Sequence, residues 1–162
     1  QDSHKQLETL LETLPVTKKI LSKCAYTDLI KKRGTVNEQT SLQASEKKNK
    51  VIITNRNNTL YHKPLFEDAS CCVILQGKID GMINNDTVVE SKNRARRLFY
   101  KIPAYEKVQL EAYMFLTETE QALHIENYNE TTNESYYYHD ETFWNECKEK
   151  IVEFTTTMLA EL

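Results

Sequence analysis

One stretch constrains this chain more than any other. An apolar run, Cys71-Cys-Val-Ile-Leu-Gln-Gly-Lys-Ile79, ends in Asp80-Gly81 and passes through Asn84-Asn85-Asp86. It then returns as Thr87-Val-Val-Glu-Ser-Lys92. Asn and Asp are turn formers and the flanking residues are β-branched or apolar, so the stretch reads as two strands joined by a tight turn. Residues 71–79 are expected to form a central, largely buried strand. Side chains alternate along a strand, which puts Glu90 and Lys92 on one face, with Asp80 near them at the end of the preceding strand. Two carboxylates converging at a sheet edge make an oxygen-rich pocket suited to Mg²⁺ or Mn²⁺. A neighbouring lysine can polarise water or stabilise charge developing on a phosphate. Any one of these residues alone would be an ordinary solvent-facing or turn residue. It is their order along the chain that carries information.

The surrounding sequence fills in an α/β (α+β) domain, a mixed central sheet flanked by helices. Leu7, Leu10, Leu11 and Leu14 recur at helical spacing before Pro15, and a second helix is expected from about Thr17 to Lys32. A third helical stretch carries Glu38 toward Lys47. Short strands are expected at 51–54 and 59–62, around the turn-forming residues 55–58. Helical periodicity returns over 104–117, with Val108, Ala112, Phe115 and Leu116 inward. Two further strands, 122–128 and 134–139, precede a closing helix over 140–161. That helix offers Phe143, Trp144, Cys147, Ile151, Phe154 and Leu159 to the core. A length of 162 residues suits one domain. The expected division is N-terminal helices over 1–33 and a core over 34–162. The chain begins with Gln, so a fragment or processed form is expected.

Composition excludes several classes. No apolar run reaches the roughly 20 residues needed to span a bilayer. The four cysteines, Cys24, Cys71, Cys72 and Cys147, have no CxxC pairing and read as reduced thiols of an intracellular protein. Four Asn-x-Ser/Thr sequons, at Asn57, Asn85, Asn129 and Asn133, are discounted in so Asn-rich a chain. Net charge is −3, but residues 91–101 hold five Lys or Arg and no acid, whereas 118–146 hold eight acids and no Lys or Arg. A local basic strip can grip a polyanion even on an acidic protein. His62, His124 and His139 lack ligand spacing and read as surface or satisfied histidines. Trp144 and Tyr136-Tyr137-Tyr138 could stack on bases, but packing is the better reading.

The order Asp80…Glu90-x-Lys92 resembles the PD-(D/E)XK nuclease superfamily, with Ile79 standing where the family name has Pro. Two further matches narrow the resemblance. Arg33-Gly34-Thr-Val-Asn-Glu38 is similar to the RGxxxE helix element of the lambda-exonuclease and YqaJ-type branch. Gln109-Leu-Glu-Ala-Tyr113 is similar to the QxxxY motif shared with RecB-type nucleases. The run from Glu90 to Leu116 looks like YqaJ-type nucleases of large DNA viruses. The resemblance covers residues 33–117.

It implies a restriction-endonuclease-like core and a metal-dependent deoxyribonuclease. Asp80, Glu90 and Glu38 would hold two Mg²⁺ (or Mn²⁺) ions, Lys92 would assist the attacking water, and Gln109 would position water or phosphate. Gln109 and Tyr113, four apart on one helical face, would lean over the site. Arg33, Arg94, Arg96, Arg97 and Lys101 become candidates for phosphate contacts, with Tyr113 also facing DNA. No base-reading element is evident. The iron–sulfur cluster of some RecB-type relatives is not expected, because only Cys147 lies downstream of these motifs. The activity implied is 5′-to-3′ exonucleolysis of duplex ends in recombination or repair. The alternatives are an endonuclease for branched or flap DNA and a degenerate, DNA-binding fold. DNA is the implied partner, with a homo-oligomer or a single-strand annealing protein as further candidates. The implied setting is the cytoplasm, or the nucleus of an infected cell.

Overall fold

The computed structural model describes residues 38–67 and 71–160, apart from the Ala160 side chain. The chain divides into two compact units, Gln1–Thr40 and Ser41–Leu162, and the second carries the elements below. The helices expected before residue 33 lie outside the described residues. Helix α1 covers residues 38–49. The strands are β1 (Ile53–Thr54), β2 (Tyr61–Glu67), β3 (Cys72–Gly77), β4 (Gly81–Ile83) and β5 (Thr87–Asn93). Helix α2 (Ala104–Thr117), β6 (Gln121–Tyr128), β7 (Thr131–Tyr138) and helix α3 (Glu141–Ala160) follow.

Five strands form a mixed sheet in the order β1-β4-β5-β6-β7, and β2 and β3 make a separate two-stranded ribbon. Among the described residues only the β5–β6 pair is parallel. A parallel pair needs a long crossover, and α2 supplies it, making a β5–α2–β6 unit. With its flanking helices the sheet is a restriction-endonuclease-like core.

The two faces of the sheet differ. Val89, Leu123 and Ile125 face Leu42, Ile53 and Ile83 in one buried apolar cluster. On the opposite face Val88, Ala122 and Met82 pack with Ile79 and with Leu110 and Met114 of α2. Farther along that second face, in-register pairs turn polar. Glu90 lies beside His124 and Lys92 beside Glu126. One face of a parallel strand pair thus passes from apolar to ionic toward its carboxyl ends, where open α/β sheets generally place their ligand sites.

The expectation for residues 71–79 is corrected. Strand β3 stops at Gly77, is alternately exposed, and pairs only with β2. The chain is re-aimed through Lys78 to Asp80 and enters the main sheet as β4. Asp80 therefore opens the short strand β4 and does not end a central one. Beyond it the expected hairpin holds. Asn84 and Asn85 take φ of 52° and 61°, and the Asp86 amide donates to the Ile83 carbonyl at 3.1 Å, as in the inverted turns favoured by hairpin twist. Strand β2 continues past Pro64 to Glu67, longer than expected. Proline lacks a donor, and the ladder shifts register between Pro64 and Phe66.

Helix α2 matches its expected span and buries Leu116 as expected, but Val108, Ala112 and Phe115 are half-buried and Glu106 and Glu111 are buried alongside Leu110 and Met114. In α3, Trp144 is buried against Phe115, with ring centroids 5.5 Å apart. Phe154 and Leu159 are exposed, so only the first part of α3 contributes core. Tyr137 points inward, whereas Tyr136 and Tyr138 are exposed, as alternation on an edge strand requires. No helix among the described residues is long and apolar enough to cross a membrane.

Gly81 of β4 lies against the Ile53 side chain of β1. A Cβ there would stand 2.3 Å from Cγ2 of Ile53. Gly81→Ala should destabilise the protein by about 1–3 kcal/mol through overpacking. Urea denaturation measures this, and an unchanged midpoint would show that Ile53 simply moves aside.

Candidate active site

The hairpin and α2 bring five of the expected residues together. Asp80, at the entry to β4, lies beside β5, and its Oδ2 accepts the Ser91 amide at 2.8 Å. The Asn57 side-chain amide reaches its Oδ1 at 3.5 Å. Burial pushes the Asp80 carboxyl above the ordinary carboxylate range, against the Ser91 amide, the Lys92 charge and the Asn57 and Glu90 side chains. Glu90 is buried in mid-strand, and its Oε1 pairs with Lys92 Nζ. Lys92 also donates to Gln109 Oε1 at 2.7 Å, and Gln109 Nε2 donates to the Tyr113 hydroxyl at 2.9 Å.

A continuous polar chain therefore runs Glu90–Lys92–Gln109–Tyr113, from strand to helix. Gln109 and Tyr113 are one turn apart, so both meet the same neighbour. The Tyr113 ring covers Gly77, where a Cβ would come 2.9 Å from Cε1. The glycine before Lys78 and Asp80 is thus the space into which the tyrosine ring fits.

One buried and one half-buried carboxylate, Glu90 and Asp80, with oxygen-only donors suit a hard divalent cation. Among the described residues no cluster of three or more His, Cys, Asp or Glu side chains is poised to hold a metal. Glu38 opens the described part of α1 and belongs to the unit of residues 1–40. Arg33 lies outside the described residues.

The basic strip divides sharply. Arg94, expected to meet phosphate, is instead locked inside. Its Nη1 and Nη2 grip both Glu106 oxygens at 2.5 and 2.7 Å, and its Nε donates to Glu126 Oε1 at 2.7 Å. Its guanidinium also covers the Phe99 ring, 4.2 Å from the centroid. The reason is local electrostatics. Glu126 and Glu106 are buried, and a buried carboxylate must find donors. Arg96, Arg97 and Lys101 remain exposed.

Sequence reasoning missed the second half of this network. His124, fully buried, places Nε2 2.8 Å from Glu106 Oε2. Burial holds the imidazole pKa below its ordinary 6.5, despite the attraction of Glu106. Burial alone would raise the Glu106 pKa, but Arg94 and His124 hold it below the usual value. A parallel arrangement lies farther along α2. Glu111 accepts from the Tyr137 hydroxyl at 2.7 Å, from the Asp140 amide at 2.9 Å, and pairs with His139. No signal in the sequence marks Glu106 and Glu111 as buried, since the partners of their carboxylates are 12 to 29 residues away.

Neither protein-family models nor curated protein sequences match the chain. Solved structures do. The alkaline exonuclease LHK-Exo of Laribacter hongkongensis superposes with a TM-score of 0.62 at 15% identity, over 80% of this chain and 69% of that one. The chain shares the fold of that enzyme. LHK-Exo in complex with dAMP superposes at 0.57 and 16% identity, over 80% and 68% of the two chains. The structure of SSO0001 gives 0.52 and 15%, over 91% and 68%. At these identities it is the fold that is shared.

Two predictions follow from the buried network. Arg94→Ala leaves two buried carboxylates without their cation and should cost about 3–5 kcal/mol in denaturant unfolding. The exposed Arg96→Ala should cost less than about 0.5 kcal/mol. Equal effects would show that Arg94 is not a structural ion. The second concerns pH. The unfolded His124 takes up a proton near 6.5 while the folded one stays neutral to lower pH, so stability falls as pH drops below 6.5. Glu106, with its pKa depressed, adds a second loss only below its ordinary 4.5. His124→Gln keeps a donor at the same place without titrating. It should therefore lose less stability than the parent between about pH 6.5 and 5.5.

Proposed function

We propose that the chain is a divalent-metal-dependent nuclease that hydrolyses DNA phosphodiester bonds, working as a 5′-to-3′ exonuclease on duplex ends. The observation that carries this reading is the convergence of Asp80, Glu90, Lys92 and Gln109 on an alkaline-exonuclease fold. A carboxylate pair, Glu90 buried and Asp80 half-buried, beside a lysine on a sheet face that has lost its apolar lining serves no packing purpose. It does suit a phosphate and a cation.

In this reading Asp80 and Glu90 hold Mg²⁺ or Mn²⁺. The bound ion would lower the pKa of its water and neutralise charge on the phosphate. The protein supplies the rest. The Ser91 amide and Asn57 fix the Asp80 carboxyl. Lys92, held between Glu90 and Gln109, presents a cation where charge builds on the phosphate during in-line attack. Gln109 is itself oriented by Tyr113, so the helix sets the lysine's direction. Arg96, Arg97 and Lys101, which follow Lys92 in the chain, offer phosphate contacts in place of Arg94. The biological setting that fits is intracellular DNA recombination or repair, in a virus or its host cell.

Lys92→Ala should reduce hydrolysis of an end-labelled linear duplex with Mg²⁺ by about 10²–10³-fold or more. Because it leaves buried Glu90 without its cation, activity is compared at a temperature where circular dichroism shows the variant still folded. Undiminished cleavage would discard this site. A closed circular duplex should survive the parent enzyme intact, and its cleavage would replace the exonuclease reading with an endonuclease one.

A further inference from the structure

The segment between β5 and α2, residues 94–103, does something unusual with its side chains. It turns aromatic residues outward and is anchored from beneath. Phe99 is 40% exposed and Tyr100 is 66% exposed, and Tyr105, in the first turn of α2, is also 66% exposed. Beneath them Leu98 is buried, and Glu126 gathers the backbone. Its carboxylate accepts the Phe99 amide at 3.3 Å and the Tyr100 amide at 2.9 Å, while also holding Arg94. Glu126 is itself about 1% exposed, so this anchor is set in the body of the domain.

Tyr100 adopts a φ of 60°. That left-handed conformation suits Gly or Asn and disfavours an aromatic residue. A large apolar ring thus sits in solvent, on a backbone that works against it, at a position that Glu126 enforces. Strain held in place by surrounding structure points to use. The neighbours indicate the ligand. Arg96, Arg97 and Lys101 are exposed, and no acidic residue lies anywhere in 91–101. Exposed rings among cations match a nucleic acid whose base faces are open, since a ring can stack on an unpaired base but not on one inside a duplex.

We propose that residues 94–105 form a rigid single-strand platform. Tyr100 stacks on an unpaired base of the DNA substrate while Arg96, Arg97 and Lys101 bind the adjoining phosphates. The platform starts two residues beyond Lys92 and leads into the helix carrying Gln109, so a strand held on it stays beside the candidate active site. The proposal deepens the nuclease reading and rests on it for the identity of the substrate. Glu126 is a positioning residue, acting on the ligand only through the Phe99 and Tyr100 amides and Arg94.

The test uses binding, so that it does not depend on cleavage. In the Lys92→Ala background with Mg²⁺, a fluorescent duplex bearing a short single-stranded tail should bind more tightly than the blunt duplex. Tyr100→Asn, which the backbone favours, should leave thermal stability equal or higher. It should weaken tailed-duplex binding about five-fold or more while sparing the blunt duplex. Tyr136→Ala, which removes a 55%-exposed ring on β7, should change neither affinity. Arg96→Ala and Arg97→Ala should instead flatten the salt dependence for both DNAs. Retention of the tail preference by Tyr100→Asn, or absence of a preference in the parent, overturns the platform. The nuclease reading stands or falls separately, on the parent's cleavage of the linear duplex.

Discussion

Three glutamates, Glu106, Glu111 and Glu126, lose their water inside this domain. A carboxylate in that situation must be given donors, and the way each is satisfied fixes where helix α2 lies over the sheet. Glu106 meets Arg94 and His124, which ties the first turn of α2 to β6 and to the exit of β5. Glu111 meets Tyr137 and His139, which ties the next turn and a half to β7 and the chain beyond it. Glu126 draws in Arg94 and two backbone amides of the segment between β5 and α2. An apolar interface alone would allow α2 to slide by a fraction of a turn. Directional bonds to three fixed carboxylates do not.

The candidate site depends on that placement. Lys92 belongs to a strand and Gln109 to a helix, and they meet because α2 returns across the same sheet face that carries Glu90 and Lys92. The apolar part of that face, around Val88, Ala122, Leu110 and Met114, supplies adhesion. Its polar part, toward the carboxyl ends of β5 and β6, supplies chemistry. The two parts are adjacent segments of the same strands, so the site is held as rigidly as the core. The exposed aromatic and basic segment starts from the same ionic anchor, which links the grip on substrate to the packing of the domain.

Much of this was legible in the chain itself. Strong local signals gave true elements, as for helix 104–117, the Asn84-Asn85 turn and the Glu90-x-Lys92 strand. Alternation put Glu90 and Lys92 on one face, and helical spacing put Gln109 and Tyr113 together. The misreadings share one cause. Residues 71–79 are apolar enough for a central strand, yet β3 pairs only with β2, because pairing depends on which strands are available in space. Arg94 looks identical to Arg96 and Arg97 in sequence, and Phe154 looks identical to a core phenylalanine. What distinguishes them is whether a partner or a wall lies opposite.

The sequence by itself therefore determined the Asn84-Asn85 turn and the returning strand carrying Glu90 and Lys92, because turn chemistry and side-chain alternation are local. It determined the helix that carries Gln109 and Tyr113 for the same reason. Only the tertiary structure decided that Gln109 grips Lys92, that Tyr113 fills the space over Gly77, and that Arg94 is buried while its neighbours face solvent. Those outcomes turn on contacts between residues distant in the chain. Such contacts follow from burying carboxylates and apolar faces together, a constraint that no short window of sequence contains.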